Sequence, residues 1–384
     1  MQLTKEEEKI ISGESGEALA SAYRILLAIG NATEATKLIP IKWAHLSGVN
    51  YNTVGDAGVE FLEKFSTEVK VKVKTTLNPM GFDRNKPGNM SDYFVKQQMS
   101  IIKSYHSMGA TPSFTCIPYE IFEIPVKKSA VSFAESSAAI FSNSILGLLT
   151  NKESALSALA SSVTGKAPYS DLRVAELRNP KATIKPDFKL MTELDYGLLG
   201  YFGGKTVKES CVAFDGIEKK PEMIKAKALS ASLGTSGSCG MFTIGDPTKE
   251  VISFGKQELN TIKDELNTAE EGDIITLGSP QLGLNELNLL SDIVEGKKFT
   301  KRCMIFCPRA IHHQAVQIGI TDKIIKAGGE FICDSCTCLT PLVTRDDVDS
   351  VITNSIKCAY YMNHSNKIGT TIKDLRTIIK HYTK

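Results

Sequence analysis

The hydrophobic pattern changes period several times along the chain, and each change marks an element. Thr4 followed by Glu7 fits a capping box, and Gly13 ends the short helix that it opens. Residues 15–29 are apolar nearly all round, which predicts a helix buried against another layer. Residues 38–43 read as a strand running into a polar loop from His45 to Tyr51. The plan then repeats. A helix over 56–66 precedes a segment in which Val69, Val71 and Val73 alternate with Lys70, Lys72 and Lys74, a period of two that predicts a strand. A second polar loop, Thr75 to Asp83, is interrupted by Pro79 and Gly81. A helix over 92–108 leads to a short strand, PSFTCIP, with Cys116 at its end.

Residues 129–165 are dense in Ala and Ser with sparse charge, a pattern of closely packed, buried helices. Glu135 and Asn143 are its polar exceptions. Strands are predicted near 197–202, 209–214 and 239–244. The final third alternates cleanly: strand 273–278, helix 284–295, strand 303–307, helix 309–327, strand 330–333. Such alternation implies a parallel sheet with right-handed crossovers. Working groups in such sheets sit beyond the carboxyl ends of the strands. Three loops leave that edge, beginning at Ser279-Pro280, Cys307-Pro308 and Asp334-Ser335-Cys336. The fold class is therefore α/β, built of three-layer α/β/α sub-domains with parallel sheets. A length of 384 residues exceeds what one core usually holds. The expected partition is 1–128, 129–270 and 271–384.

Composition narrows the function classes. There are 45 basic against 43 acidic side chains, so no global attraction to nucleic acid is expected. No apolar run reaches the roughly 18 residues that a membrane span needs. The N-terminus lacks a basic segment followed by an apolar one, so a cytoplasmic protein is expected. In that compartment nine cysteines are thiols, metal ligands or catalytic groups rather than a disulfide frame.

Spacing decides among those cysteines. Cys333, Cys336 and Cys338 fall within six residues, and a C-x-x-C pair can chelate zinc or hold part of an iron–sulfur cluster. Structural zinc needs a second pair. Cys303 and Cys307 share one face of a predicted strand over about 13 Å, too far apart for one ion. Cys211, Cys239, Cys303, Cys333 and Cys358 fit a buried core. Cys116 and Cys336 stand at strand-to-loop transitions, where reactive groups are positioned. His312 and His313 lie in the first turn of a helix and point about 100° apart, which places at least one on the surface. His45 precedes Ser47-Gly48, a loop able to hold a phosphate or carboxylate on backbone N–H groups. A turn-stabilising histidine is the equal alternative. Neither a phosphate-binding loop nor a dinucleotide fingerprint is present, and no nucleophile elbow or H-E-x-x-H motif occurs.

Several separated segments carry a resemblance. AHLSGVNY at 44–51, TTLNPMGFD at 75–83, CIPYE at 116–120 and ESSAAIFSNSILG at 135–147 are followed in order by LGSPQLGLNEL at 277–287, CDSCTCLTPL at 333–342 and TNSIKCAYY at 353–361. The series resembles the aconitase X family in its large, catalytic subunit form, over nearly the whole chain. The resemblance implies an aconitase-like fold and a hydro-lyase that dehydrates a small hydroxy acid. Mevalonate 5-phosphate is the favoured substrate and cis-3-hydroxyproline the alternative. It implies an iron–sulfur cluster held by three cysteines, with one open iron acting as Lewis acid. It also implies a small swivelling domain, here a separate subunit, since no segment of this chain matches it.

Carried over by position, Cys116 and Cys336 match cluster ligands. Gly48, Val49, Asn78, Pro79, Glu135, Ser136 and Lys357 match the substrate pocket, and His45, Asn50, Asn354 and Ser355 lie in the same matched segments. Lys357 would offer positive charge to an anionic substrate, and Glu135 would orient the hydroxyl or shuttle a proton. The departures are specific. The family's usual L-G-C-P-H is Leu277-Gly278-Ser279-Pro280-Gln281 here, so Ser279 occupies a cluster-cysteine position. Phe242, and Leu172 with Arg173, stand where histidines are usual, and Asn50 replaces a common serine. Serine is a harder partner for iron than cysteine, so Ser279, Cys307 and Cys338 all remain candidates for the third ligand. A relative that has lost its cluster and its activity is the reading opposed to the enzyme.

Overall fold

The computed structural model describes residues 1–245 and 247–384. The first part of the chain forms β1 (Leu38–Pro40), β2 (Trp43–Leu46), β3 (Lys74–Leu77), β4 (Ser132–Phe133) and β5 (Lys166–Pro168). The middle forms β6 (Ala182–Pro186), β7 (Cys211–Phe214), β8 (Met241–Ile244) and β9 (Glu250–Phe254). The last part forms β10 (Ile274–Leu277), β11 (Cys303–Cys307), β12 (Gly329–Cys333), β13 (Ser350–Thr353) and β14 (Gly369–Ile372). Three sheets are parallel, with strand orders β3-β2-β4, β8-β7-β6-β9 and β12-β11-β10-β13-β14. A small antiparallel pair, β1 with β5, adjoins the first.

Burial in the last sheet follows a period of two on both faces. Cys303, Ile305 and Cys307 pack with Ile275 and Leu277 under the helices Leu284–Val294 and Ile320–Lys326. Met304 and Phe306 join Ile274, Cys358 and Met362 on the opposite face. Near-continuous apolar strands are what a sheet covered on both sides requires. Strand order reverses at β10, whose neighbours are β11 on one side and β13 on the other, and a crevice beyond the carboxyl ends of such strands is a natural ligand site. Gly278 ends β10 with φ +112°, and a Cβ there would lie 2.3 Å from the Phe306 carbonyl oxygen, so only glycine lets the Ser279 loop leave so close to β11.

Four local expectations change. Residues 197–202 are not a strand; they lie in the helix Glu193–Thr206, opened by a Thr192–Asp195 capping box. That helix is apolar all round because it is buried all round, a case that periodicity alone does not separate from a buried strand. Its Gly200 nearly touches the helix Met223–Ser236, since a Cβ would lie 2.5 Å from the Leu229 carbonyl. Only Lys74 onward of the Val/Lys alternation pairs in the sheet. PSFTCIP forms a loop rather than a strand, with Phe114 at φ +43°. The predicted helix 309–327 is broken at Gly319, φ +74°, into Arg309–Gln317 and Ile320–Lys326. The first core also extends past residue 128: Ala158, Leu159, Val163 and Ala167 pack with Leu46, Leu77 and Ile101. Among the described residues no helix is long and apolar enough to cross a membrane.

Candidate active site

The loops after β2, β3 and β4 leave the first sheet on one edge. They face the loop after β12 and the helix Ile356–Tyr361 across a cavity of about 550 Å³. Eleven of the residues singled out in the sequence line it: Gly48, Val49, Asn50, Asn78, Pro79, Cys116, Glu135, Ser136, Cys336, Cys338 and Lys357. His45 sits behind this wall. Ser279, Asn354 and Ser355 line a separate narrow cleft of about 40 Å³ beside Lys227 and Glu286. In that cleft Asn354 donates to Glu193 at 3.1 Å, and the Ser355 hydroxyl caps its helix by accepting from the Cys358 N–H at 3.0 Å.

A continuous polar relay backs the cavity. The Trp43 indole N–H donates to Thr76 at 2.9 Å, and Thr76 meets His45 Nδ1 at 2.8 Å. His45 Nε2 lies 3.2 Å from the Asn78 side-chain oxygen, and the Asn78 amide donates to Glu135 at 2.9 Å. Glu135 pairs with Lys357 at 2.5 Å. Assigned from these partners, His45 is neutral with its proton on Nε2. Complete burial agrees, drawing its pKa down to about 4 despite the opposing pull of Glu135. Burial alone would raise the Glu135 carboxyl, but the Lys357 charge and hydrogen bonds from Lys357, Asn78 and Ser137 hold it at about 2. For Lys357 burial pulls downward, and the Glu135 charge outweighs it and raises the ammonium. The pair is a carboxylate facing an ammonium, fixed from behind by the histidine.

The opposite wall is sulfur. Cys336 is within hydrogen-bonding reach of both Cys116 and Cys338, and all three border the cavity. Hydrogen bonds from Cys116 and then Cys338, helped by Lys357, hold the Cys336 thiol well below its usual range. Burial raises Cys116, so Cys336 ionises first. Gln281, at the family's histidine position, clamps these loops. Its backbone N–H donates to Cys116 Sγ at 3.1 Å, and its amide donates to the Ser335 carbonyl at 2.8 Å. Cys307 is not part of this wall: it pairs with Cys333 across β11 and β12. The histidine-replacing residues are structural. Phe242 packs edge-on against Phe214, and Arg173 is buried in an ion pair with Glu153 at 2.6 Å.

Among the described residues no three His, Cys, Asp or Glu side chains close on a single metal ion. A row of three thiols along free volume instead fits an iron–sulfur cluster, which seats each thiolate on a different iron. Tyr361, the last residue of TNSIKCAYY, also lines the cavity although sequence reasoning gave it no role. Lys152 reaches the cavity with its ammonium on the carbonyls of Gly234 at 3.1 Å and Gly237 at 2.8 Å. Its one signal was a charge in a stretch otherwise poor in charge.

Comparison with known proteins matches three family models along the chain: aconitase X first domain over residues 1–176, second domain over 180–279 and third domain over 272–384. The chain is 37% identical to a phosphomevalonate dehydratase large subunit of Methanocaldococcus jannaschii, over 99% of this chain and 100% of that one. It is 30% identical to a cis-3-hydroxy-L-proline dehydratase of Hypocrea jecorina, over 94% of this chain but 65% of the relative. A crystal structure of Thermococcus kodakaraensis aconitase X in its holo form superposes with a TM-score of 0.91 at 34% identity, covering both chains completely.

Proposed function

The chain belongs to the aconitase X family and is a dehydratase, a hydro-lyase, and on that premise we propose that it is the large subunit of a two-subunit enzyme that dehydrates mevalonate 5-phosphate with the help of an iron–sulfur cluster. The observation that carries this reading is the cavity itself, where a fixed Glu135–Lys357 pair faces the Cys116–Cys336–Cys338 row.

Dehydration of a 3-hydroxy acid removes a hydroxyl from one carbon and a proton from its neighbour. Hydroxide leaves poorly, and an open iron site in the bound cluster would supply a Lewis acid for it. The chain's own groups supply the rest. Lys357 offers an ammonium to the substrate carboxylate. Glu135 orients the departing hydroxyl, accepts the proton released from the neighbouring carbon and passes it to that hydroxyl, which leaves as water. Asn78, held by neutral His45, keeps the carboxylate aimed. A substrate with both carboxylate and phosphate brings more negative charge than Lys357 can offset, because Glu135 already engages it. Lys152 has no carboxylate partner within ion-pairing distance among the described residues and supplies the second cation. This charge pattern favours a phosphorylated hydroxy acid over hydroxyproline.

The separate small subunit is supported by the names of the relatives, which are large subunits of phosphomevalonate dehydratase. The partner would close the cavity and complete the site. The expected setting is cytoplasmic. Anaerobic co-purification with a small subunit should give bound iron and sulfide and turnover of mevalonate 5-phosphate. Activity without iron would end the cluster mechanism. Turnover of cis-3-hydroxyproline alone would end the substrate assignment. A folded, iron-free complex that turns over neither would support the non-catalytic alternative.

A further inference from the structure

We propose that Cys338, not Ser279, is the third protein ligand of the cluster, with Ser279 as its hydrogen-bonding support; the assignment rests on the cluster-dependent reading above. Position is the first argument. Cys338 borders the cavity with Cys116 and Cys336, whereas Ser279 lines the separate cleft behind, with its hydroxyl 3.6 Å from Cys336 Sγ. Local geometry is the second. The chain turns directly after Cys336, with the N–H groups of Leu339 and Thr340 both donating to the Cys336 carbonyl, at 3.0 and 3.1 Å. That turn brings two cysteines, two residues apart, to one wall. Asn50 anchors it by donating to the Leu339 carbonyl at 2.8 Å.

Chemistry is the third argument. Cluster iron takes thiolates readily, while a serine hydroxyl keeps its proton at neutral pH and is a poor match. Ser279 Oγ lies 3.1 Å from Cys338 Sγ, so the hydroxyl can donate to a Cys338 thiolate and stabilise its charge. The Ser279 carbonyl accepts from the Ser355 hydroxyl, which fixes the residue in that supporting position. The ligand has in effect moved from the loop after β10 to the loop after β12, and a serine fills the vacated place.

The test uses the complex with the small subunit, purified without oxygen, and reads iron, acid-labile sulfide and the absorption and paramagnetic spectra of the cluster. Ser279→Ala should keep its iron with a small spectral shift. Cys338→Ser should retain about tenfold less iron or show an oxygen-ligated spectrum, at least as large a loss as removing a supporting residue causes. Alkylation of the unmutated protein gives a second readout that needs no refolding. Cys338 should be protected when iron is bound and should react, with Cys116 and Cys336, once iron is stripped. Unchanged iron and spectrum in Cys338→Ser, loss of iron in Ser279→Ala alone, or alkylation of Cys338 in the iron-loaded protein would each overturn the assignment. Unmutated complex without iron would sink the cluster reading itself, and the assignment with it.

Discussion

Two buried lysines meet carboxylates in this molecule, and their surroundings give them different work. Lys227 lies 2.8 Å from Glu120, also contacts Glu286, and donates to the Gln281 carbonyl at 3.1 Å. Its helix belongs to the middle sheet's layer, Glu120 to the first part of the chain and Glu286 to the last, so the cluster ties three regions together. That side chain is 2% exposed, and its ammonium is enclosed by two carboxylates and a carbonyl. Lys357 has Glu135 as its close partner, a weaker 3.5 Å contact to Ser137, and the cavity beyond. The same ion-pair chemistry is a rivet in one place and a working pair in the other. The difference lies in whether the ammonium has a direction left to face a ligand.

Two substitutions separate the roles. Glu135→Gln keeps the side chain's shape but removes the charge and the proton acceptor. The kcat is expected to fall about 10²–10⁴-fold, the usual contribution of a positioned acid–base group. Stability should suffer less than in Lys227→Met, because the cavity lets water reach Lys357. Lys227→Met leaves two carboxylates buried without a partner, and denaturant unfolding should show a loss of about 3–5 kcal/mol. Its activity per folded molecule should stay near the parent value. If Lys227→Met instead lost turnover at unchanged stability, the comparison would collapse.

Acid titration sharpens the same contrast, because the relay behind Glu135 has no counterpart at Lys227. His45 is held neutral, with a folded pKa near 4 against 6.5 for a free histidine. The unfolded chain therefore binds the proton first, and stability falls as pH drops from 6.5 toward 4. The shift corresponds to about 3 kcal/mol. Glu135, at about 2 against 4.5, has the usual carboxylate sign: its contribution is complete above pH 4.5 and disappears as pH falls toward 2. Unfolding midpoints measured from pH 7 to pH 4 should slope downward in the parent protein. His45→Gln, which can still donate to Asn78, should flatten that limb. An identical slope in both proteins would remove His45 from the relay.

How much of this was legible in the sequence follows from what fixes each feature. The strand–helix alternation after residue 272 was readable because both faces of that sheet are apolar and each crossover is a helix. Cys116 and Cys336 were readable as loop-edge thiols, although PSFTCIP forms no strand. Residues 197–202 misled because an all-buried helix has no polar face to show its period. Asn354 and Ser355 came only from the matched segment 353–361; helix capping and a hydrogen bond to Glu193 turn them into another cleft. Ser279 and Cys338 were indistinguishable as third-ligand candidates. Which of two touching side chains faces the cavity depends on the path of a turn, and no periodicity encodes that path.

Lys152 gives the smallest expected effect and the sharpest test of what the cavity binds. Unlike Lys227 it has no acidic partner among the described residues, and unlike Lys357 it has no catalytic neighbour. Burial lowers its pKa, yet it remains the cation best placed for a second anionic group. A charge-assisted hydrogen bond is worth about 1.5–3 kcal/mol, so Lys152→Met should raise KM for mevalonate 5-phosphate about 10–100-fold. The kcat should change little, because the phosphate is bound equally in ground and transition states. Lys152→Arg should restore much of the affinity if charge is what matters. Competition by inorganic phosphate should weaken in Lys152→Met to the same degree as substrate binding. A fall in kcat at constant KM would move Lys152 from phosphate recognition into the reacting centre, and the cavity would then hold two working lysines instead of one.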